Sequence, residues 1–289
     1  MLNKRLIAAL IVKEGIVVQS IGFCRYLPVG RPEIAVEWLN NWGIDEIVLL
    51  DISATPQKRD PDYAMIERVS RKCFAPLTVG GGIHRVEHIR ALLRHGADKI
   101  VVNTAAIKGP QLIQEASDVF GNQCVVVSLD VRYKAGRYEV CGNSGQDPTG
   151  KDPVSMAREA QRLGAGEIFL NSIDRDGFKE GYDLKLIRAV VEAVTIPVIA
   201  CGGVGGPRHF LQGFVEGKAT AVAAGNYFHF IQHSPIVAKA YLKKNGIDMR
   251  IDTYSQYDGF DFDEMGRICK RDDEYLNNLR FQYQPKEVI

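Results

Sequence analysis

Two glycine-rich stretches carry the residue types most suited to chemistry. Thr78-Val79-Gly80-Gly81-Gly82-Ile83 closes a proline-led apolar run, and Ile199-Ala200-Cys201-Gly202-Gly203-Val204 closes another. Glycine at a strand end has no Cβ, reaches positive φ and lets backbone amides approach a ligand, most often a phosphate. Each stretch has polar company. Gly81 and Gly82 go with Asn103 and Thr104 at the next strand end, which add an amide and a hydroxyl. Gly202 and Gly203 go with Asp176 and Gly177 before them and with Gly225 and Asn226 after them, just ahead of a short helical segment. That last position is the common phosphate site of a (β/α)8 barrel. Two matching sets point to a phosphorylated small molecule with a phosphate at each end.

The elements that must position these residues repeat. Gly81 and Gly202 lie 121 residues apart, and Glu46-Ile47-Val48-Leu49-Leu50 recurs as Glu167-Ile168-Phe169-Leu170 at the same offset. Gly96-Ala97-Asp98-Lys99 answers Gly217-Lys218-Ala219-Thr220 in the same way. A repeat at one offset means a duplicated half. Short β-branched runs also alternate with longer amphipathic segments about eight times, as β/α units on a parallel sheet do. Residues 1–245 therefore read as one (β/α)8 TIM barrel built of two half-barrels, with chemistry at the C-terminal strand ends. Two connections, 14–30 and 132–150, are longer than the barrel needs and read as β-hairpins on that face. Residues 246–289 form an extension in which Tyr254, Tyr257, Phe260 and Phe262 alternate with aspartates. It reads either as a surface-packed tail or as a docking arm for a partner.

Composition narrows the function classes. A net charge of +1 gives no electrostatic footprint for nucleic acid or a membrane surface. The six cysteines show no C-x-x-C spacing, so they read as buried, reduced thiols of a cytoplasmic protein, with no metal site and no cofactor. The N-terminal apolar run ends at Lys13-Glu14 without a cleavage site and reads as a first strand. No uncharged apolar stretch is long enough to span a bilayer.

Several motifs together resemble a known family. Leu77-Thr78-Val79-Gly80-Gly81-Gly82-Ile83, Val102-Asn103-Thr104-Ala105-Ala106, Ser172-Ile173-Asp174-Arg175-Asp176-Gly177 and Ile196-Pro197-Val198-Ile199-Ala200 are similar to the cyclase subunit of imidazole glycerol phosphate synthase, over roughly residues 1–245. The resemblance implies a partner, a class I glutaminase subunit that releases ammonia into the bottom of the barrel. At the top, ammonia reacts with a bisphosphate ribonucleotide to give imidazole glycerol phosphate and an aminoimidazole carboxamide ribotide. It also implies an ammonia gate of Arg5, Glu46, Lys99 and Glu167, and a glutaminase-facing surface that includes Asp98 and Gln123.

The resemblance implies two general acid–base aspartates at the top, because ring closure moves protons on both faces of the ligand. Asp130 matches one. Ile11 stands where the other is expected, and isoleucine transfers no proton. Gln19 replaces a phosphate-contacting lysine, Phe178 a small hydroxylated residue, and Gly225 a serine. Asp51, Asp176 and Glu14 are the carboxylates that could take over from residue 11. Three readings follow. The favoured one is a divergent paralogue that passes glutaminase-derived ammonia towards amidation of a surface-polysaccharide sugar, with a separate amidotransferase docked through the tail. The others are a genuine cyclase of histidine biosynthesis and a non-catalytic activator of the glutaminase.

Overall fold

The computed structural model describes residues 4–278. Its strands are β1 (Arg5–Lys13), β2 (Ile16–Ile21), β3 (Arg25–Gly30), β4 (Glu46–Asp51), β5 (Leu77–Gly80), β6 (Lys99–Val102), β7 (Val125–Lys134), β8 (Arg137–Gly142), β9 (Asp147–Pro148), β10 (Glu167–Ser172), β11 (Val198–Cys201) and β12 (Ala221–Ala224). β1, β4, β5, β6, β7, β10, β11 and β12 pair in parallel, and the β1–β12 and β7–β10 pairings close them into a ring. The (β/α)8 barrel expected from the sequence is therefore the fold. Helices α1 (Pro32–Asn41), α2 (Tyr63–Ser70), α3 (Val86–Arg94), α4 (Thr104–Lys108), α5 (Gln111–Phe120), α6 (Pro153–Arg162), α7 (Leu184–Val191), α8 (Pro207–Val215) and α9 (Ser234–Lys244) follow the strands, and α10 (Asp273–Asn278) lies in the extension.

Each barrel strand buries both faces, and alternation sorts its residues between two cores. On β1, Leu6, Ala8, Leu10 and Val12 belong to the larger core that packs under the helices, while Ile7 and Ala9 belong to a smaller cluster with Val48, Val101, Val126, Phe169, Ile199, Ala221 and Ala223. The second cluster faces the lumen. By the same alternation Arg5 and Ile11 are the bottom and top rungs of the lumen on this strand.

Both long connections are hairpins, as their alternation predicts. β1 runs on past the barrel rim and turns back at Glu14-Gly15 to pair with β2, Val12 opposite Val17. β7 overshoots likewise and pairs with β8, Lys134 opposite Arg137. The overshoot explains why these two strands reach further than their apolar runs.

The extension packs on the barrel. Met249 bridges to Lys4 beside the start of β1, the hydroxyls of Tyr254 and Tyr257 each hydrogen-bond His233 at 2.7 Å, and Arg208 N donates to Met265 O at 3.1 Å. α9 lies between barrel and extension, and burying Ile236, Ala238, Lys239, Ala240 and Leu242 leaves it little amphipathic pattern. That is why periodicity alone does not reveal this helix. Residues 279–289 of the extension lie outside the described residues.

Candidate active site

Four charges close the bottom of the lumen. Arg5, Glu46, Lys99 and Glu167 begin β1, β4, β6 and β10, so alternation points all four inward at one level. Arg5 lies 2.7 Å from Glu46 and 3.1 Å from Glu167, and Lys99 lies 3.1 and 3.2 Å from the same two carboxylates. The ring thus alternates in sign. Thr78 Oγ1 also donates to Glu46, which is almost wholly buried. Burial works against the Arg5 cation, but Glu167 and Glu46 outweigh it and raise its pKa. A salt-bridged ring is a poor stability device, because apolar residues of the same volume would hold a barrel mouth as well. Asp98 and Gln123 sit on the same end, both exposed. Asp98 ties β5 to the preceding loop of β6 by accepting from Leu77 N at 2.8 Å.

At the top, a cavity of about 750 Å³, mouth included, opens above the lumen and is lined by Ile11, Leu50, Ser128, Asp130 and Asn171, among others. Asp130 is buried, and burial pushes its pKa up to about 7; the hydrogen bond from Ser128 pulls it down and the Asp176 charge adds to the rise. A carboxyl poised near neutrality both gives and accepts a proton, as a general acid–base needs. Asn171 lies level with Asp130 on the neighbouring strand, and its Oδ1 is buried without a hydrogen-bond partner. Sequence reasoning missed Asn171, Ser128, Ser144 and Tyr26 as cavity residues, and the only signal for them was their place at the ends of β7, β10 and the two hairpins. Ile11 presents an apolar side chain to this cavity.

The two glycine sets lie differently about this cavity. Gly81, Gly82, Asn103 and Thr104 line the cavity. Their polar side chains also brace the rim: Asn103 donates to the carbonyls of Ser128 and Cys141, and Thr104 accepts from Asn143 N at 2.8 Å. None of Asp176, Gly177, Gly202, Gly203, Gly225 and Asn226 lines it. Asp176 accepts from Ser20 Oγ at 2.6 Å, and Asn226 clamps the Ser20 backbone, donating to its carbonyl at 2.7 Å and accepting from its N–H at 3.2 Å. A Cβ on Gly177 would come within 2.5 Å of Ser20 O. These three residues hold the β2–β3 hairpin down. Burial raises the Asp176 pKa to about 6, opposed by hydrogen bonds from Ser20, Phe23 and Gly22.

The other carboxylates near the cavity are committed or remote. Asp51 is paired with Arg59, and Glu14 is exposed at the hairpin turn. Asp60, His84 and His88 bring ligand atoms within 4.8 Å of one another, a grouping that could hold a metal ion. The Arg85 guanidinium already engages two of the three, with Nε donating to His88 Nε2 and NH2 3.3 Å from Asp60. All six cysteines are free; Cys141 and Cys201 are buried, but Cys24 is exposed at the hairpin tip, against the expectation of buried thiols. In the β2–β3 turn, Gly22 to Cys24, Phe23 faces the cavity and its N–H donates to Asp176, while Cys24 faces outward.

Comparison with known proteins fixes the lineage. The model of a family described as histidine biosynthesis protein matches residues 5–234. The chain belongs to that family. It is 42% identical over 267 residues, 92% of this chain and 98% of the relative, to a Vibrio vulnificus (strain YJ016) protein provisionally named imidazole glycerol phosphate synthase subunit hisF2. The resemblance to the cyclase subunit of that synthase thus holds across the barrel. Because 267 residues exceed the 245 of the barrel, the relative shares part of the extension as well. Among the described residues no helix is long and apolar enough to cross a membrane.

Proposed function

We propose that this chain is the barrel subunit of a glutamine-dependent complex: a glutaminase subunit docks on the charged end, and ammonia travels up the lumen to the Asp130 cavity. The observation that carries this is the lumen itself, with an alternating charge ring at one end and a carboxyl of pKa about 7 at the other. Exposed Phe74 and Val119, on loops and helix ends at the charged end together with Asp98 and Gln123, give the partner an apolar foothold. The ring conducts only when its ion pairs part, which ties passage of ammonia to docking.

The acceptor is a phosphorylated small molecule other than the cyclase ribonucleotide, because Ile11 puts a methyl group where two-sided proton transfer needs a second acid or base. One missing group of that kind costs about 10² to 10⁴ in rate, roughly 3–5 kcal/mol. Asp130 is the acid–base group that the cavity offers to the arriving nitrogen, able to take up or return its proton. The favoured acceptor is a surface-polysaccharide sugar, amidated with a separate amidotransferase that reaches the barrel through the extension. The competing reading, a genuine cyclase of histidine biosynthesis, is favoured by the name of the Vibrio relative.

Turnover of the formimino bisphosphate ribonucleotide with excess ammonium salt separates them, since ammonium salt bypasses the glutaminase. The expected result is no cyclase activity in the natural chain and partial recovery in Ile11→Asp. Robust activity in the natural chain sinks the divergent reading. Glutaminase stimulation by the natural chain, lost in Lys99→Glu, tests the charged end separately.

A further inference from the structure

Beside the upper cavity, the connection from β4 to α2 (52–62) meets the connection from β5 to α3 (81–85) at Gly82. A Cβ there would come within 2.7 Å of Arg59 O and 3.1 Å of Asp60 C. Three side chains gather at this junction. Asp60 comes from the first connection, His84 from the second and His88 from the first turn of α3, and one ligand atom of each lies within 4.8 Å of the others. Asp60 and His84 are exposed, while His88 is buried. The route of ammonia uses none of them.

Hydrogen bonds fix what the two rings present. Gly82 O only accepts, and His84 Nδ1 and His88 Nδ1 lie 2.9 and 3.2 Å from it, so each Nδ1 carries the proton and each lone pair sits on Nε2. A backbone carbonyl holding Nδ1–H is the common outer support of a metal-bound imidazole. His88 Nε2 lies 3.3 Å from Asp60 Oδ1, two lone-pair acceptors face to face. Such a pair calls for a cation, and roughly 3.3 Å is also the separation of two atoms bound at about 2.0 Å to one tetrahedral ion. Arg85 supplies the charge at present, its Nε donating to His88 Nε2 at 2.5 Å and NH2 lying 3.3 Å from Asp60. Its side chain is 54% exposed, so it can swing into solvent with little loss of packing. His84 also lines a groove of about 1030 Å³, mouth included, which gives an ion a way in.

We propose that Asp60, His84 and His88 form a binding site for a divalent ion of the zinc class, which displaces Arg85 and clamps the two connections together. Two imidazole nitrogens and one carboxylate oxygen suit Zn²⁺, whereas Mg²⁺ and Ca²⁺ select oxygen alone. Because both rings hold Gly82 O and Gly82 lines the upper cavity, the ion ties a wall of that cavity to the connection that carries Asp60. This departs from the expectation of no metal site, which rested on cysteine spacing and did not weigh these histidines.

Isothermal titration of the untagged, chelator-stripped full chain with Zn²⁺ tests it, with Mg²⁺ in excess throughout. One Zn²⁺ binds per chain. Asp60→Asn and His84→Ala, both on the surface, each weaken it about tenfold or more, since a direct ligand matters at least as much as an outer-shell group worth about 10- to 100-fold. Arg85→Ala tightens it about threefold or more, because the competing cation is gone. Cys24→Ser, which removes the exposed thiol, leaves it unchanged. Zn²⁺ also slows tryptic cutting after Lys58 and Arg59 in the natural chain and not in His84→Ala. Absence of Zn²⁺ binding up to about 1 mM, an affinity that holds within about threefold in Asp60→Asn and His84→Ala, loss of binding in Cys24→Ser, or no tightening in Arg85→Ala overturns the inference.

Discussion

Asp130→Asn should stabilise the protein, and by an amount that depends on pH in a defined way. Burial lifts the Asp130 pKa from the ordinary 3.8 to about 7, so the folded chain holds a proton that the unfolded chain has released. Between those values stability falls as pH rises, because each further unit of pH removes protons from the unfolded state only. The slope is about 1.4 kcal/mol per pH unit, and the penalty saturates above pH 7 at roughly 4 kcal/mol. Asparagine has the same shape and never ionises. The stability difference, Asp130→Asn minus the natural chain, should therefore climb by about 3 kcal/mol from pH 4.5 to pH 8 and then level off. Urea unfolding at half-unit pH intervals reads it, and taking the difference cancels most of the parallel contribution of Asp176. A difference that stays flat across this range would refute the claim that Asp130 is held protonated by burial, and with it the acid–base assignment.

Two further outcomes follow from the packing. Lys239 is buried in α9, where it pairs with Asp45 and donates to the carbonyls of Gly43 and Arg250, at 2.6 and 3.0 Å. Lys239→Met strands the Asp45 carboxylate and should cost about 3–5 kcal/mol in urea unfolding, with faster tryptic cutting after Arg250; a loss below about 1 kcal/mol would show that the extension is not anchored there. Cys24 should react with a thiol reagent in the native protein while Cys141 and Cys201 stay protected until unfolding, burial having raised both of their thiol pKa values. Mass mapping of the modified thiols checks it, and native labelling of Cys201 would show that the upper lumen opens.

The barrel was legible in the order of residues alone. A 121-residue repeat, eight alternations of β-branched and amphipathic segments, and glycines at strand ends are local signals, and each local preference agrees with the global fold. The strand starts at Glu46, Lys99 and Glu167 were legible too, whereas Arg5 joined them only through the resemblance, since the apolar run of the first strand begins at Leu6. The two hairpins were legible from alternation, whereas α9 was not, since burial on both sides erases the period that reveals a helix.

The surroundings of the site residues depend on packing between distant segments. Nothing in Asp176 or Asn226 as residue types says that they grip Ser20, more than 150 residues away. Asn171 reads as one more polar residue at a strand end until closure of the barrel buries its oxygen beside Asp130 without a partner. The poise of Asp130 has the same origin. Its pKa is set by how much water the neighbouring strands and the hairpin exclude, a property of three-dimensional packing that no local run of residues contains.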